Sequence, residues 1–158
     1  MNKMIKNLSI LILVFGAVAL IMGIVFLYEG VSKEVFLTTI MKRENIKLSD
    51  LGVTGSKANE VIDSQETAQI AGDTVRAHRH AIAPSYTALL GSNKFDPTNP
   101  KDLTYAQAQN LENYLYLAVL SFGVTSIAMA AGGFMIVIAL ALAAMGFVLL
   151  KVANVLPK

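Results

Sequence analysis

The chain has no cysteine, only two histidines, and no charged residue between Glu112 and Lys151. The first absence removes disulfides, thiolate nucleophiles and thiolate metal ligands. It permits an oxidising compartment without requiring one. The second leaves His78 and His80 as the whole histidine supply. Gly-rich phosphate loops, GxSxG elbows and HExxH pairs are missing as well. The third absence says most about the molecule. Residues 115–150 form an uncharged run of 36. A bilayer core takes about 20 helical residues, so this run can cross one with length to spare.

What is present is mostly apolar. Of 158 residues, 54% are hydrophobic and 15% charged, on the membrane side of soluble averages. The acids all fall between Glu29 and Glu112, whereas the two ends carry Lys3, Lys6, Lys151 and Lys158 without any acid. The net charge of +2 therefore comes from lysines flanking apolar runs, not from a basic face for nucleic acid. A second apolar run, 8–27, is closed by Tyr28 and Glu29. Ala17-Val18-Ala19 has the form of a signal-peptidase site, but the apolar run continues past it, which favours an uncleaved span. Flanking lysines place both termini in the cytoplasm.

These observations predict an all-α membrane protein, with two transmembrane helices extended outward into a small extracytoplasmic helical bundle. Its parts are a cytoplasmic N-terminus (1–7), a first span (8–28), an extracytoplasmic helical domain (29–129), a second span (130–150) and a cytoplasmic C-terminus (151–158). The expected location is the plasma membrane of a cell envelope.

Along the chain, Val31, Val35, Phe36 and Ile40 carry the first helix outward to about Met41. Ile46 and Leu48 alternate with polar residues, as in a short extended stretch, and 50–56 reads as loop. Asp63 followed by Glu66 suggests a capped helix start, with Ala68, Ala71, Val75, His78 and Ile82 as its apolar stripe. Pro84 predicts a break, and Ser85 opens one further turn that Gly91 stops. After a loop at 92–101, Thr104 and Gln107 suggest the start of the last helix. In it Ala108, Leu111, Leu115, Ala118, Phe122 and Thr125 recur at threes and fours, the spacing of a face packed on other helices. One continuous helix is expected over about 105–150, protruding from the membrane by about 35–40 Å. Leu111, Leu115 and Phe122 should be buried against the helix at 64–83. A hairpin at 130–133 is the alternative.

Lipid is as apolar as leucine, so two spans need close packing to associate. Ala19 with Gly23, Ala128 with Gly132, and Ala139 with Ala143 are small-xxx-small pairs that permit it. Neither span contains an ionisable residue, which argues against an ion pathway within one copy.

Chemistry-bearing residues concentrate at Arg76-Ala77-His78-Arg79-His80. Two histidines two apart on a helix point about 200° apart and cannot chelate one ion, so neither a metal nor another cofactor is expected. His78 falls on the apolar stripe as a packing histidine. Arg79 and His80 should face water or acids such as Asp73. Arg76, Arg79 and His80 are the candidate partner- or anion-binding group.

The chain also resembles a group of bacterial two-span membrane proteins, best known from actinobacterial and related genomes. The resemblance rests on Met41-Lys42-Arg43-Glu44-Asn45-Ile46-Lys47-Leu48, Ala68-Gln69-Ile70 with His78, Tyr86 with Leu89, Asp96-Pro97 and Ala118 to Val124 containing Phe122-Gly123-Val124, over roughly 28–150. Members are sometimes labelled ring-opening dioxygenases. The resemblance implies the two-span architecture and supplies no activity. The expected function is a non-enzymatic scaffold or accessory subunit, its partners the lipid bilayer and either another protein or further copies of itself. An extracytoplasmic binding or sensing module and a metal-dependent enzyme using His78 and His80 are the alternatives.

Overall fold

The computed structural model describes residues 2–155; Lys158, the last flanking lysine, lies outside them. The fold is all-helical, with 82% helix and no strand among the described residues. The order is α1 (Asn2–Glu44), a 3-10 turn (Leu48–Leu51), α2 (Gln65–Ile82), α3 (Tyr86–Leu90) and α4 (Pro100–Val155). The chain divides into two compact units. One joins the chain up to Lys33 with the chain from Val124, and the other is Glu34–Gly123. Both long helices are long and apolar enough to cross a membrane. Residues 130–133 lie inside α4, so the hairpin does not form.

The first unit is an antiparallel helix pair held by a seam of small residues. Ser9, Gly16, Gly23 and Gly30 of α1 meet Gly146, Ala139, Gly132 and Thr125 of α4, respectively. Each step is seven residues forward on one helix and seven back on the other, the 3.5-residue period of a left-handed pair. Backbones touch at the centre. A Cβ on Gly23 would lie 2.8 Å from the Gly132 carbonyl oxygen, and one on Gly132 would lie 2.8 Å from that of Gly23. Only glycine fits at that crossing. At one end the fully buried Ser9 hydroxyl donates to the Gly146 carbonyl at 2.6 Å. Ala139 is 3% exposed on the seam, while Ala19, Ala128 and Ala143 flank it half-buried.

The second unit has its own core. Leu48, Ile62, Ala68, Ala71, Val75 and Leu115 form it, with Met41, Ala108 and Ala118 packed around it. The turn at Leu48 is tied down by backbone bonds from Leu48 N to Glu60 O and from Ile62 N to Ile46 O. α2 starts one residue later than expected. Ser64, not Asp63, is the cap, and its hydroxyl accepts from Thr67 N. The helix stops at Ile82 because Ala83, ahead of Pro84, is extended (φ −158°, ψ 140°). Ser85 caps α3, and Gly91 N closes it on Thr87 O. α4 starts four residues before Thr104. Asn99 caps it by accepting from Lys101 N, and Thr104 bonds back to the Pro100 carbonyl inside the first turn.

Two core expectations need correction. Leu115 and Phe122 are buried, but Leu111 is 37% exposed. His78 is exposed as well, although Ala68, Ala71 and Val75 before it are buried. Both residues line one groove, so the two faces lose cover at the same place.

Gly23→Leu or Gly132→Leu should separate the helix pair, whereas Gly133→Leu, where a Cβ meets nothing within 4 Å, should not. Disulfide formation between cysteines introduced at Gly16 and Ala139 reads the pairing. Leu115→Ala should destabilise the second unit by about 2–5 kcal/mol, measured by denaturant unfolding.

Candidate functional site

Two features of the second unit have the chemistry to act on something: a polar cluster on the flanks of α2 and α4, and a groove beside His78.

The cluster is organised by Glu112, the last charge before the apolar run and only 7% exposed. Arg79 closes on it. Its Nε donates to one carboxylate oxygen at 2.6 Å and an Nη to the other at 3.4 Å, a two-pronged charge-assisted contact. The other Nη donates to the Tyr105 hydroxyl at 2.5 Å, and the guanidinium lies 5.1 Å from that ring's centroid. Tyr105 is 1% exposed and packs at 6.3 Å from Tyr86 of α3. Hydrogen bonding and charge from Glu112 hold the Arg79 guanidinium above its ordinary pKa, so it stays charged. The side chains of Arg79 and Glu112 are 12% and 10% exposed. Of the two surroundings expected for it, water or an acid, Arg79 takes the acid, Glu112 in place of Asp73, and so is not an open donor for a partner.

Arg76 remains outside, with its side chain 56% exposed and its Nε 4.0 Å from Glu112. His80 is exposed and touches Arg79 at 3.1 Å. Arginine can only donate, so in that contact the Arg79 Nη is the donor. Asp73 pairs with neither Arg79 nor His80. It accepts from the Tyr116 hydroxyl at 2.6 Å and from the Gln69 amide at 3.0–3.1 Å. Those two bonds, Tyr116 first, hold its carboxyl below the usual range, and burial with the Asp73 bond pushes the Tyr116 phenol up.

The two histidines are not brought together. His78 points to the opposite side and stands against Gly52, a left-handed residue (φ +89°) where a Cβ would come within 3.1 Å of the imidazole Cε1. Beside it lies a groove of about 480 Å³ lined by the apolar Leu51, Ala108 and Leu111 and by the polar Asp50, Thr104 and Gln107. Among the described residues no group of three or more metal-ligating side chains converges.

Of the residues singled out from sequence, Gly23, Gly132 and Ala139 stand on the helix seam, and Arg79 stands in the cluster. Glu112, Tyr105 and the groove escaped notice. Glu112 and Arg79 are 33 residues apart, and no local spacing announces such a pair. No protein-family model, curated protein or solved structure matches the chain.

Glu112→Ala should cost about 3–5 kcal/mol, because it strands the Arg79 charge in a site with little water. Arg79→Met should cost less than Arg79→Ala, since it keeps the packing on Tyr105; paired urea melts compare them. For Asp73 the folded pKa is depressed. Its small contribution is present above the unfolded value of about 3.9 and lost as pH falls through the folded one. Tyr116→Phe should therefore raise the Asp73 pKa, read by carboxyl NMR titration.

Proposed function

We propose that the chain is an integral membrane protein whose spans 8–28 and 130–150 cross the plasma membrane, with both termini cytoplasmic and 29–129 extracytoplasmic. It acts there as a non-enzymatic scaffold or accessory subunit. One observation carries the membrane reading. In the most apolar 18-residue stretch of each long helix, only 11% of the residues are buried within the chain. A core helix of a soluble protein would be mostly covered. Val18, Ile21, Val25, Phe134, Val137 and Leu140 are instead 48–67% exposed, and lipid is the economical cover for so much apolar surface.

Length supports the same reading. The seam over residues 9–30 runs about 32 Å, close to the hydrocarbon thickness of about 30 Å. Tyr28, 70% exposed, ends the uncharged part of α1 as an interfacial tyrosine would. The scaffold role follows from what these spans hold. They carry no intramembrane charge, and their seam is spent on pairing with one another. Partner binding then falls to the outer domain, where Arg76 and His80 present exposed donors to an acidic partner.

The chain has no native cysteine, so single cysteines report topology directly. Lys3→Cys and Asn154→Cys should resist an impermeant thiol reagent in intact cells, while Ser92→Cys should label. Labelling at 154 and not at 92 would reverse the assignment. Changing Arg76 and His80 together to Ala should leave the helix content intact and reduce co-purification of envelope proteins after gentle extraction. Unchanged recovery would remove that surface from the proposal.

A further inference from the structure

We propose that the groove beside His78 is a binding site for a small cationic amphiphile, an organic ammonium with an apolar body. Two helices lose their cover at the same level. On α2, Val75 is 5% exposed and His78, the next member of its stripe, is open. On α4, Leu115 is 7% exposed and Leu111, one turn earlier, is 37% exposed. Both lie on faces whose spacing is that of a packed core, and the space between them is the groove. The core lacks a piece there, and an apolar body against Leu51, Ala108 and Leu111 would complete it. The groove is shallow and open, with room of about 480 Å³ for one face of a small molecule.

The rim decides which head group such a molecule carries. Asp50 is the one formally charged lining residue. One of its carboxylate oxygens accepts from Lys47 N at 2.8 Å, and the other has no hydrogen bond among the described residues. His78 and Gln107 add further polar atoms, and neither side chain has a hydrogen-bonded partner among the described residues. An ammonium would therefore gain an ion pair as well as a hydrogen bond to Asp50, an alcohol a hydrogen bond without the opposite charge, and a carboxylate would meet repulsion. Gly52 matters through its missing side chain, which lets the imidazole stand where a Cβ would crowd it. The proposal goes beyond the scaffold role and does not depend on which side of the membrane the domain occupies.

The two histidines make the test self-controlled, since one lines the groove and the other does not. The full chain in lipid nanodiscs is titrated with cyclohexylammonium, cyclohexanol and cyclohexanecarboxylate while the imidazole Cε1–H signals are followed by NMR. The expected result is a saturable shift of His78 with His80 unmoved. Cyclohexanol should bind about tenfold more weakly than the ammonium, and the carboxylate more weakly still. Asp50→Asn keeps an oxygen for Lys47 N and should bring the ammonium down to the level of the alcohol. Leu111→Ser should weaken all three probes alike. A His78 signal that stays unmoved up to the probes' solubility limits would overturn the proposal. So would equal shifts of both histidines, or a carboxylate that binds as well as the ammonium.

Discussion

The backbone contact between Gly23 and Gly132 is the constraint on which the paired helices depend. In a bilayer, which offers no hydrophobic reward for bringing two apolar helices together, association would have to come from close van der Waals approach. Glycine at the crossing lets each carbonyl oxygen reach the neighbouring backbone. Every other contact on the seam then follows by sevens, and a single large side chain at the centre would lift the whole register. The outward faces of both helices are left to whatever surrounds them.

The second unit is built by a different rule. Its core of Leu48, Ile62, Ala68, Ala71, Val75 and Leu115 is small, and two of the six are alanine, so little apolar area is buried per residue. The Arg79–Glu112–Tyr105 cluster adds directional contacts where apolar ones run out. It ties α2 to α4 and, through the Tyr86 ring, brings in the short α3. Such a cluster is weak evidence for net stability, because two charges have to leave water to form it. Its clearer effect is to fix which residues face each other.

Much of this was legible in the sequence for local reasons. Pro84 and Gly91 mark the ends of α2 and α3 through backbone geometry, which needs no tertiary context. The uncharged run at 113–150 favoured one long helix over a hairpin at 130–133. What escaped was set by distant partners. Asn99 rather than Thr104 caps α4, because several polar residues in 98–104 could serve and packing selects among them. Arg79 sits on the flank of an apolar stripe, where spacing alone cannot tell a solvent-facing cation from one that finds Glu112. The seam lies between the two cases. Ser9, Gly16, Gly23 and Gly30 recur at seven, but pairs four apart, such as Ala19 with Gly23, match the familiar dimer pattern equally well, and spacing alone does not choose between them.

The central claim is that the exposed faces of both long helices lie in lipid while their small-residue seam is closed. Spin labels placed singly at Phe15, Val18, Ile21, Val25, Phe134 and Val137 of the cysteine-free chain in bilayers test it most directly. The account predicts high collision rates with oxygen and low rates with a water-soluble nickel chelate at all six, and low rates with both at Ala19, which flanks the seam. High nickel accessibility at the six positions would place these helices in water and contradict the account.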